Sequence, residues 1–239
     1  MNYIGITGHR GSGKTSVAYL LGNMLELIKY DYSKSDLKSY YEEWCETIKN
    51  DQNVIYDCCL NNVYFDEFGD MPKAFVASLL SVDMNILNND TLKDKMFVNM
   101  KDFKLYAKDP SFKIISSEDI LAGAKRWKDC YISLREFAKV FSIDIMQKFF
   151  GADVWLKSRI VNDEKWNNAA QFEGWKIFSD VKTKEEIKYI KDNSGIIIRT
   201  SRPSHKKDHA GITTTENSDA DFIINTEGNL IDLFEKIYE

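Results

Sequence analysis

Residues 8–15 read GHRGSGKT, between the apolar run NYIGIT and a helical pattern, and they place three glycines, Gly8, Gly11 and Gly13, within six residues of a chain that has only twelve. A backbone that wraps its N–H groups around an anion needs φ values that a Cβ resists, and glycine adopts them at little steric cost. The helix that follows opens with N–H groups lacking intrahelical partners and with the positive end of its dipole, so phosphate oxygens are favoured there. Lys14 is expected to reach the β- and γ-phosphates, and Thr15 to offer its hydroxyl to a Mg²⁺ ion otherwise held by phosphate and water. Gly8, Gly13, Lys14 and Thr15 fit G-x-x-x-x-G-K-[ST], the phosphate-binding P-loop, in the strand–loop–helix context that motif requires. A glycine-rich turn that merely joins strand to helix is the alternative. On the P-loop reading, Gly8, Arg10, Gly11, Ser12, Gly13, Lys14, Thr15 and Ser16 are the expected nucleotide contacts, with Thr15 as metal ligand.

The elements that must hold this loop follow from periodicity. A helix is expected from about Thr15 to Ile28, where Val17, Leu20, Leu21, Leu25 and Ile28 recur at helical spacing. The stretch 31–62 reads as an insertion, with a helix capped by Ser35 and a segment NVIYDCCL that suits either a strand or a buried helical turn. A second strand is expected at 61–67 and a helix at 71–87, with Pro72 in its first turn. Aromatic-rich runs between Met96 and Ile115 suggest a hairpin. A helix over 133–150 is announced by Ser133 and Glu136 as a capping box. Strands at 175–180, 195–200 and 221–225 alternate with helices at 183–193 and after Asn229. Such alternation implies an α/β fold with a parallel sheet covered by helices on both faces. Residues 201–220 are polar and long for a connection, which marks a functional or mobile loop.

Composition bounds the function classes. The chain has 239 residues, 44% of them apolar, enough for one α/β domain or a domain plus a lid. Its formal charge of −5 comes from interspersed residues without a long single-sign block, so no nucleic-acid surface is expected. Its four cysteines, Cys45, Cys58, Cys59 and Cys130, show no C-x-x-C pair, consistent with reduced thiols rather than a zinc site. No leader pattern and no membrane-length apolar run is visible, so a cytoplasmic protein without a membrane partner is expected.

Among nucleoside triphosphate users, a GTPase is disfavoured: DEFG at 66–69 spells D-x-x-G, but N-K-x-D occurs nowhere. Phosphoryl transfer needs charge stabilisation and in-line positioning more than covalent chemistry, so arginines near the transferring group are the parts to seek. Arg135 sits in the first turn of its helix, where a cation opposes the dipole, and is either a catalytic group or a solvated surface arginine. Arg199 and Arg202 lie at the carboxyl end of a strand, the edge where ligands bind in α/β sheets, although Arg202 before Pro203 could simply shape the loop. Asp180 at the same edge could coordinate Mg²⁺ through water, orient substrate, or cap the helix beginning near Thr183.

Several stretches in order, GHRGSGKTSVA, FGDMPK (68–73), SLREFAKVFSID leading into GADVWLKS (151–158), FSDVK (178–182), IIIRTSRP (196–203) and DFIINTEGNLIDLFEKI, resemble the deoxynucleoside monophosphate kinases of tailed bacteriophages. The resemblance implies a P-loop NTPase/NMP-kinase-like fold in a single domain, with about 30–62 and 88–128 as insertions or lid and substrate-binding subregions. It implies transfer of the γ-phosphoryl of ATP to a deoxynucleoside monophosphate with Mg²⁺, small nucleotides as partners, a possible homodimer, and a host-cell cytoplasmic location. Lys14, Arg135 and Asp180 would be the catalytic residues. Asp70 and Lys73, where a monophosphate-binding helix would start, join Arg135, Arg199 and Arg202 as expected substrate contacts. Where the family carries glycine, threonine and an acid, this chain has Ser142, Ile143 and Asp144, which leaves Asp144; where it carries an arginine after the strand-ending acid, this chain has Lys182, which lacks the bidentate fork. For the family's late histidine–glutamate motif, His209 and Glu216 are the candidates. Trp155 reads as core rather than as a base-stacking platform. A non-catalytic ATP-binding regulatory or assembly module is the alternative function.

Overall fold

The computed structural model describes residues 1–9, 11–50, 62–122, 130–170, 174–203 and 217–238. In chain order the first elements are β1 (Asn2–Thr7), α1 (Lys14–Ile28), α2 (Lys34–Asn50), β2 (Val63–Asp66), α3 (Asp70–Leu80), α4 (Met84–Asn88), α5 (Asp90–Lys95), β3 (Met96–Asn99), β4 (Leu105–Ala107), β5 (Lys113–Ile114), α6 (Ser117–Leu121) and β6 (Cys130–Ser133). Then α7 (Leu134–Lys139) runs through a π-helical stretch (Val140–Ile145) into α8 (Met146–Phe150). After these come α9 (Val154–Ala170), β7 (Trp175–Val181), α10 (Lys184–Asp192), β8 (Ile196–Ser201), a 3₁₀ turn (Asn217–Asp219), β9 (Phe222–Asn225) and α11 (Leu230–Tyr238). The chain divides into two compact units, Met1–Phe68 with Glu164–Glu239, and Gly69–Asp163.

The first unit is built on a five-stranded sheet in the order β2-β7-β1-β8-β9, every pair parallel. Central β1 is buried from Tyr3 to Thr7, as a strand covered on both faces must be. Its alternate side chains explain the two covers. Ile4 and Ile6, with Ile177 and Ile198, pack against Val17, Leu20 and Met24 of α1 and Leu233 and Phe234 of α11. On the opposite face Tyr3 meets Phe178 and Tyr189 of α10, each at 6.0 Å between ring centroids, and Phe68 stacks on Phe178 at 4.4 Å. The α/β fold with a helix-flanked parallel sheet is thus the one expected. A buried ion pair crosses β2 and β7, Lys176 Nζ to Asp66 Oδ2 at 2.9 Å, with the ammonium 5.3 Å from the Tyr64 ring.

α2 is capped two residues earlier than expected. Ser33, not Ser35, makes the reciprocal cap: Asp36 N donates to Ser33 Oγ at 3.3 Å and Ser33 N donates to Asp36 Oδ2 at 3.1 Å. From the stretch read as an insertion, Leu37 and Tyr41 enter the central core, and the Tyr41 hydroxyl donates to Leu20 O at 3.0 Å. The segment NVIYDCCL lies outside the described residues.

The second unit holds a four-stranded sheet in the order β4-β3-β6-β5. β3 pairs antiparallel with β4, giving the hairpin expected from the aromatic runs, and β5 joins β6 in parallel. Val76 and Leu80 of α3, Val98, Ile132, Leu134, Phe137 and Val140 form its core. The single helix expected over 71–87 is two. Ser81 turns into the left-handed region at φ 53 and its amide closes on Ala77 O and Ser78 O, while Asp83 caps α4 by accepting from Asn85 N at 2.7 Å. The helix expected over 133–150 is present after Ser133, which caps it, but it widens into a π turn at its middle. There Ser142 bonds back to Ala138 O, and Trp155 Nε1 donates to the Ser142 carbonyl. Trp155 therefore packs, 5.7 Å from Phe75, and also supplies a polar contact. Among the described residues no helix is long and apolar enough to cross a membrane.

Candidate active site

The loop between β1 and α1 has the conformation that its glycines predict. Gly8, Gly11 and Gly13 stand at φ 146, 75 and 82. Gly13 is the N-cap of α1 in the left-handed region, without a side-chain acceptor, and the first turn carries no acid. The amides of that turn and the dipole end are therefore not neutralised by a protein carboxylate on the helix itself, the electrostatic condition for holding an anion.

Lys14 bends back over the loop and donates from Nζ to Gly8 O at 3.0 Å and His9 O at 2.8 Å. Burial lowers its pKa below the usual lysine value, the Lys182 charge lowers it further, and Asp180 and Glu67 oppose. An anion bound at this point would raise it again. Asp180, buried at the end of β7, accepts from Phe68 N at 2.7 Å and from Lys182 Nζ at 3.1 Å. Glu67, one residue past β2, accepts from Ser179 Oγ at 3.2 Å. The carboxyl ends of β2 and β7 thus bring Glu67, Asp180 and Lys182 into the electrostatic surroundings of Lys14.

The capping alternative for Asp180 does not hold. Thr183 and Glu186 cap α10 reciprocally: Glu186 N donates to Thr183 Oγ1 at 3.2 Å, and Glu186 Oε2 accepts from Thr183 N at 3.0 Å and Lys182 N at 2.6 Å. Burial pushes the Glu186 carboxyl up to about 7, reinforced by Asp180 and opposed by the two amides and Lys182. The native carboxyl holds its proton more tightly than the unfolded one. This group therefore favours folding below its ordinary value of 4.5 and loses that contribution as the pH rises to about 7. Glu186→Gln keeps an oxygen for the two amides and removes the charge. Its melting temperature at pH 8 is expected to exceed that of the wild type by roughly 2–6 °C, from ~1–2 kcal/mol, with no gain at pH 4. Thermal melts at both pH values check this; an equal difference at pH 4 and pH 8 would contradict it.

The other expected residues fall in three groups. Arg199 is 8% exposed in β8, in register with Thr7 and Ile223, and Arg202 follows the same strand on the surface. Thr15 is exposed in the first turn of α1 and Ser16 is half-buried beside it. In the second unit Asp70 and Lys73 pair at 3.3 Å in the first turn of α3, Asp144 lies half-buried in the π turn, and Arg135 grips Asp94. That grip is bidentate, Nε to Oδ1 at 2.6 Å and Nη2 to Oδ2 at 3.1 Å, with Asp90 at 3.4 Å from Nη2. Arg10, His209 and Glu216 lie outside the described residues.

Three residues of this region escape motif reasoning: Glu67, Thr200 and Thr226. The two threonines touch the loop from β8 and from the end of β9, where Thr226 Oγ1 donates to Ser12 O at 2.8 Å. Only their place at the carboxyl ends of parallel strands could have pointed to them.

Oxygen donors from Thr15, Asp180 and Glu67 are hard ligands of the kind Mg²⁺ takes. Among the described residues no group of three His, Cys, Asp or Glu side chains is placed to hold a metal.

A parallel sheet of this order, with a glycine-rich loop leading from its central strand into a helix, defines a P-loop kinase-like α/β protein. The family described as deoxynucleotide monophosphate kinase matches residues 2–237, and the chain belongs to it. It is therefore a phosphotransferase acting on nucleotides. No curated relative matches the chain.

Proposed function

We propose that the protein transfers the γ-phosphoryl of ATP to a deoxynucleoside monophosphate, releasing ADP and the deoxynucleoside diphosphate. The observation that carries this reading is the Gly8–Thr15 loop, with its left-handed glycines and with Lys14 folded over its carbonyls. An oxygen of the acceptor monophosphate attacks the γ-phosphorus, and the bond from that phosphorus to the β,γ-bridging oxygen breaks. The acceptor phosphate is largely a dianion at neutral pH, with a second pKa of about 6, so no general base is needed and the protein's task is positioning and charge stabilisation.

The loop amides would hold the β-phosphate while the Lys14 ammonium exchanges its carbonyl contacts for β- and γ-oxygens. Thr15, directly, and Asp180, through water, would hold Mg²⁺, which screens the phosphate charge when bound. Arg199, Arg202 and Lys182 supply local positive charge in the first unit. Arg135, Asp70, Lys73 and Asp144 are assigned to the acceptor on the strength of the family resemblance.

A coupled assay of ADP release tests the reading with ATP, Mg²⁺ and a panel of monophosphates. ADP is expected only when a monophosphate is present, with kcat/KM for deoxy acceptors exceeding that for the matching ribo acceptors by about tenfold or more, a difference of ~1.4 kcal/mol. No ADP with any monophosphate, despite ATP binding, would instead mark a non-catalytic ATP-binding module, ADP release at the same rate with and without a monophosphate would mark an ATP hydrolase, and equal kcat/KM within each pair would remove the deoxyribose preference.

A further inference from the structure

Ser12 occupies a position that the loop motif leaves free, yet it is 3% exposed and held at both its side chain and its carbonyl. Its Oγ lies 2.6 Å from Thr200 Oγ1 and 2.7 Å from His9 O. Its carbonyl accepts from Thr226 Oγ1 at 2.8 Å, and the same hydroxyl also lies 3.2 Å from Ser201 O. Thr200 and Thr226 are themselves 1% and 8% exposed.

The protons can be followed along this line. Ser12 and Thr200 have two hydroxyl protons for three contacts, the third being Thr200 Oγ1 to Thr7 O at 3.1 Å. The two shorter contacts are both satisfied if Thr200 donates to Ser12 and Ser12 donates to His9 O, the carbonyl that also receives Lys14 Nζ at 2.8 Å. A hydroxyl line therefore runs from β8 to the carbonyl that seats the loop lysine.

The threonines also fill the space beneath the glycines. A Cβ at Gly8 would lie 2.4 Å from Thr200 Oγ1, and one at Gly13 would lie 3.2 Å from the Thr226 side chain. The strand ends and the loop are fitted to each other within the first unit.

We propose that Thr200 and Thr226 are positioning residues for the donor nucleotide: by fixing Ser12 and the His9 carbonyl they hold the loop amides and Lys14 in the geometry that receives the triphosphate. This rests on the reading that ATP binds at this loop. Pre-organisation of a binding loop lowers the ordering cost of association, so its loss falls on ATP affinity rather than on the acceptor.

The test uses the whole protein and the variants Thr200→Val, Thr226→Val, Thr200→Ser and Thr226→Ser. Valine keeps the shape and removes the hydroxyl. KM for ATP, and the Kd of ATP by calorimetry, should rise about tenfold in each valine variant, while KM for the monophosphate stays within about twofold. The serine variants should return ATP binding to within about threefold of the wild type. Ser12→Ala removes the middle hydroxyl without touching either strand and should raise the ATP constants at least about fivefold, so the reading survives a valine variant that fails to fold. Unchanged ATP constants, or both KM values rising together with no recovery by serine, would overturn the assignment. Absence of ATP binding by the wild type would overturn the ATP reading itself, and this inference with it.

Discussion

Lys14→Ala is expected to remove phosphotransfer and to leave the fold in place. The loop does not need the ammonium to keep its shape, because Ser12 N donates to His9 O at 3.1 Å, Thr226 holds the Ser12 carbonyl, and the glycine dihedrals are independent of the side chain. On the proposed reading, what disappears is the point charge that would meet the β- and γ-phosphates, in a place where burial and Lys182 lower the Lys14 pKa and Asp180 and Glu67 oppose them. A preorganised charge of this kind contributes on the order of 10²–10³ in kcat. Single-turnover kinetics beside a melting curve decide the matter. Activity above about a tenth of wild type, a loss under ~1.4 kcal/mol, would show that the loop lysine is not central.

For Arg135→Ala the expected result is a fall in kcat of up to about 10³-fold, with smaller changes in both KM values, if the guanidinium stabilises charge that develops on the transferring group. Arg135→Lys should recover little, because an ammonium cannot reproduce the planar fork now occupied by Asp94. A purely surface role gives another result. The side chain is 39% exposed and its ion pairs with Asp94 and Asp90 are of the solvent-screened kind, worth about 0–1 kcal/mol. On that account turnover stays unchanged and the melting temperature holds or drops slightly. A rise in stability from removing a cation at a helix start is not expected, since the same deletion takes the bidentate guanidinium from Asp94, while Asp90 keeps Lys93 at 2.8 Å. Unchanged kcat in Arg135→Ala would sink the catalytic role.

The loop was legible in the sequence because its requirements are local: glycine where φ is positive, lysine and a hydroxyl where the helix starts. The alternation of β7, α10, β8, β9 and α11 was legible for the same reason, each element being long enough to show its period. The order of strands in the sheet was not, since β2 and β1 both pair with β7 by contacts that no local pattern encodes. In the second unit the strands run from two to four residues, too short for alternation to register, and β6 escaped notice beside the capping signal at Ser133. The break at Ser81 carries neither glycine nor proline. The partners of Arg135 lie 41 and 45 residues away, and Thr200 and Thr226 meet Ser12 across 188 and 214 residues, so chemistry visible in the loop gave no sign of what holds it.

Strand order also sets a timetable for the nascent chain. β1 finds both of its neighbours, β7 at Trp175–Val181 and β8 at Ile196–Ser201, only in the last third of the chain. At ~5–20 residues per second, a ribosome leaves the apolar strand carrying Ile4 and Ile6 without its sheet partners for on the order of ten seconds. All four strands of the smaller sheet, β3 to β6, leave the ribosome within that interval and have their pairing partners to hand. The glycine-rich loop is thus among the first segments made and among the last to acquire its support, so a truncated or stalled product carries an unpaired hydrophobic strand and a loop without Thr200 and Thr226 against it.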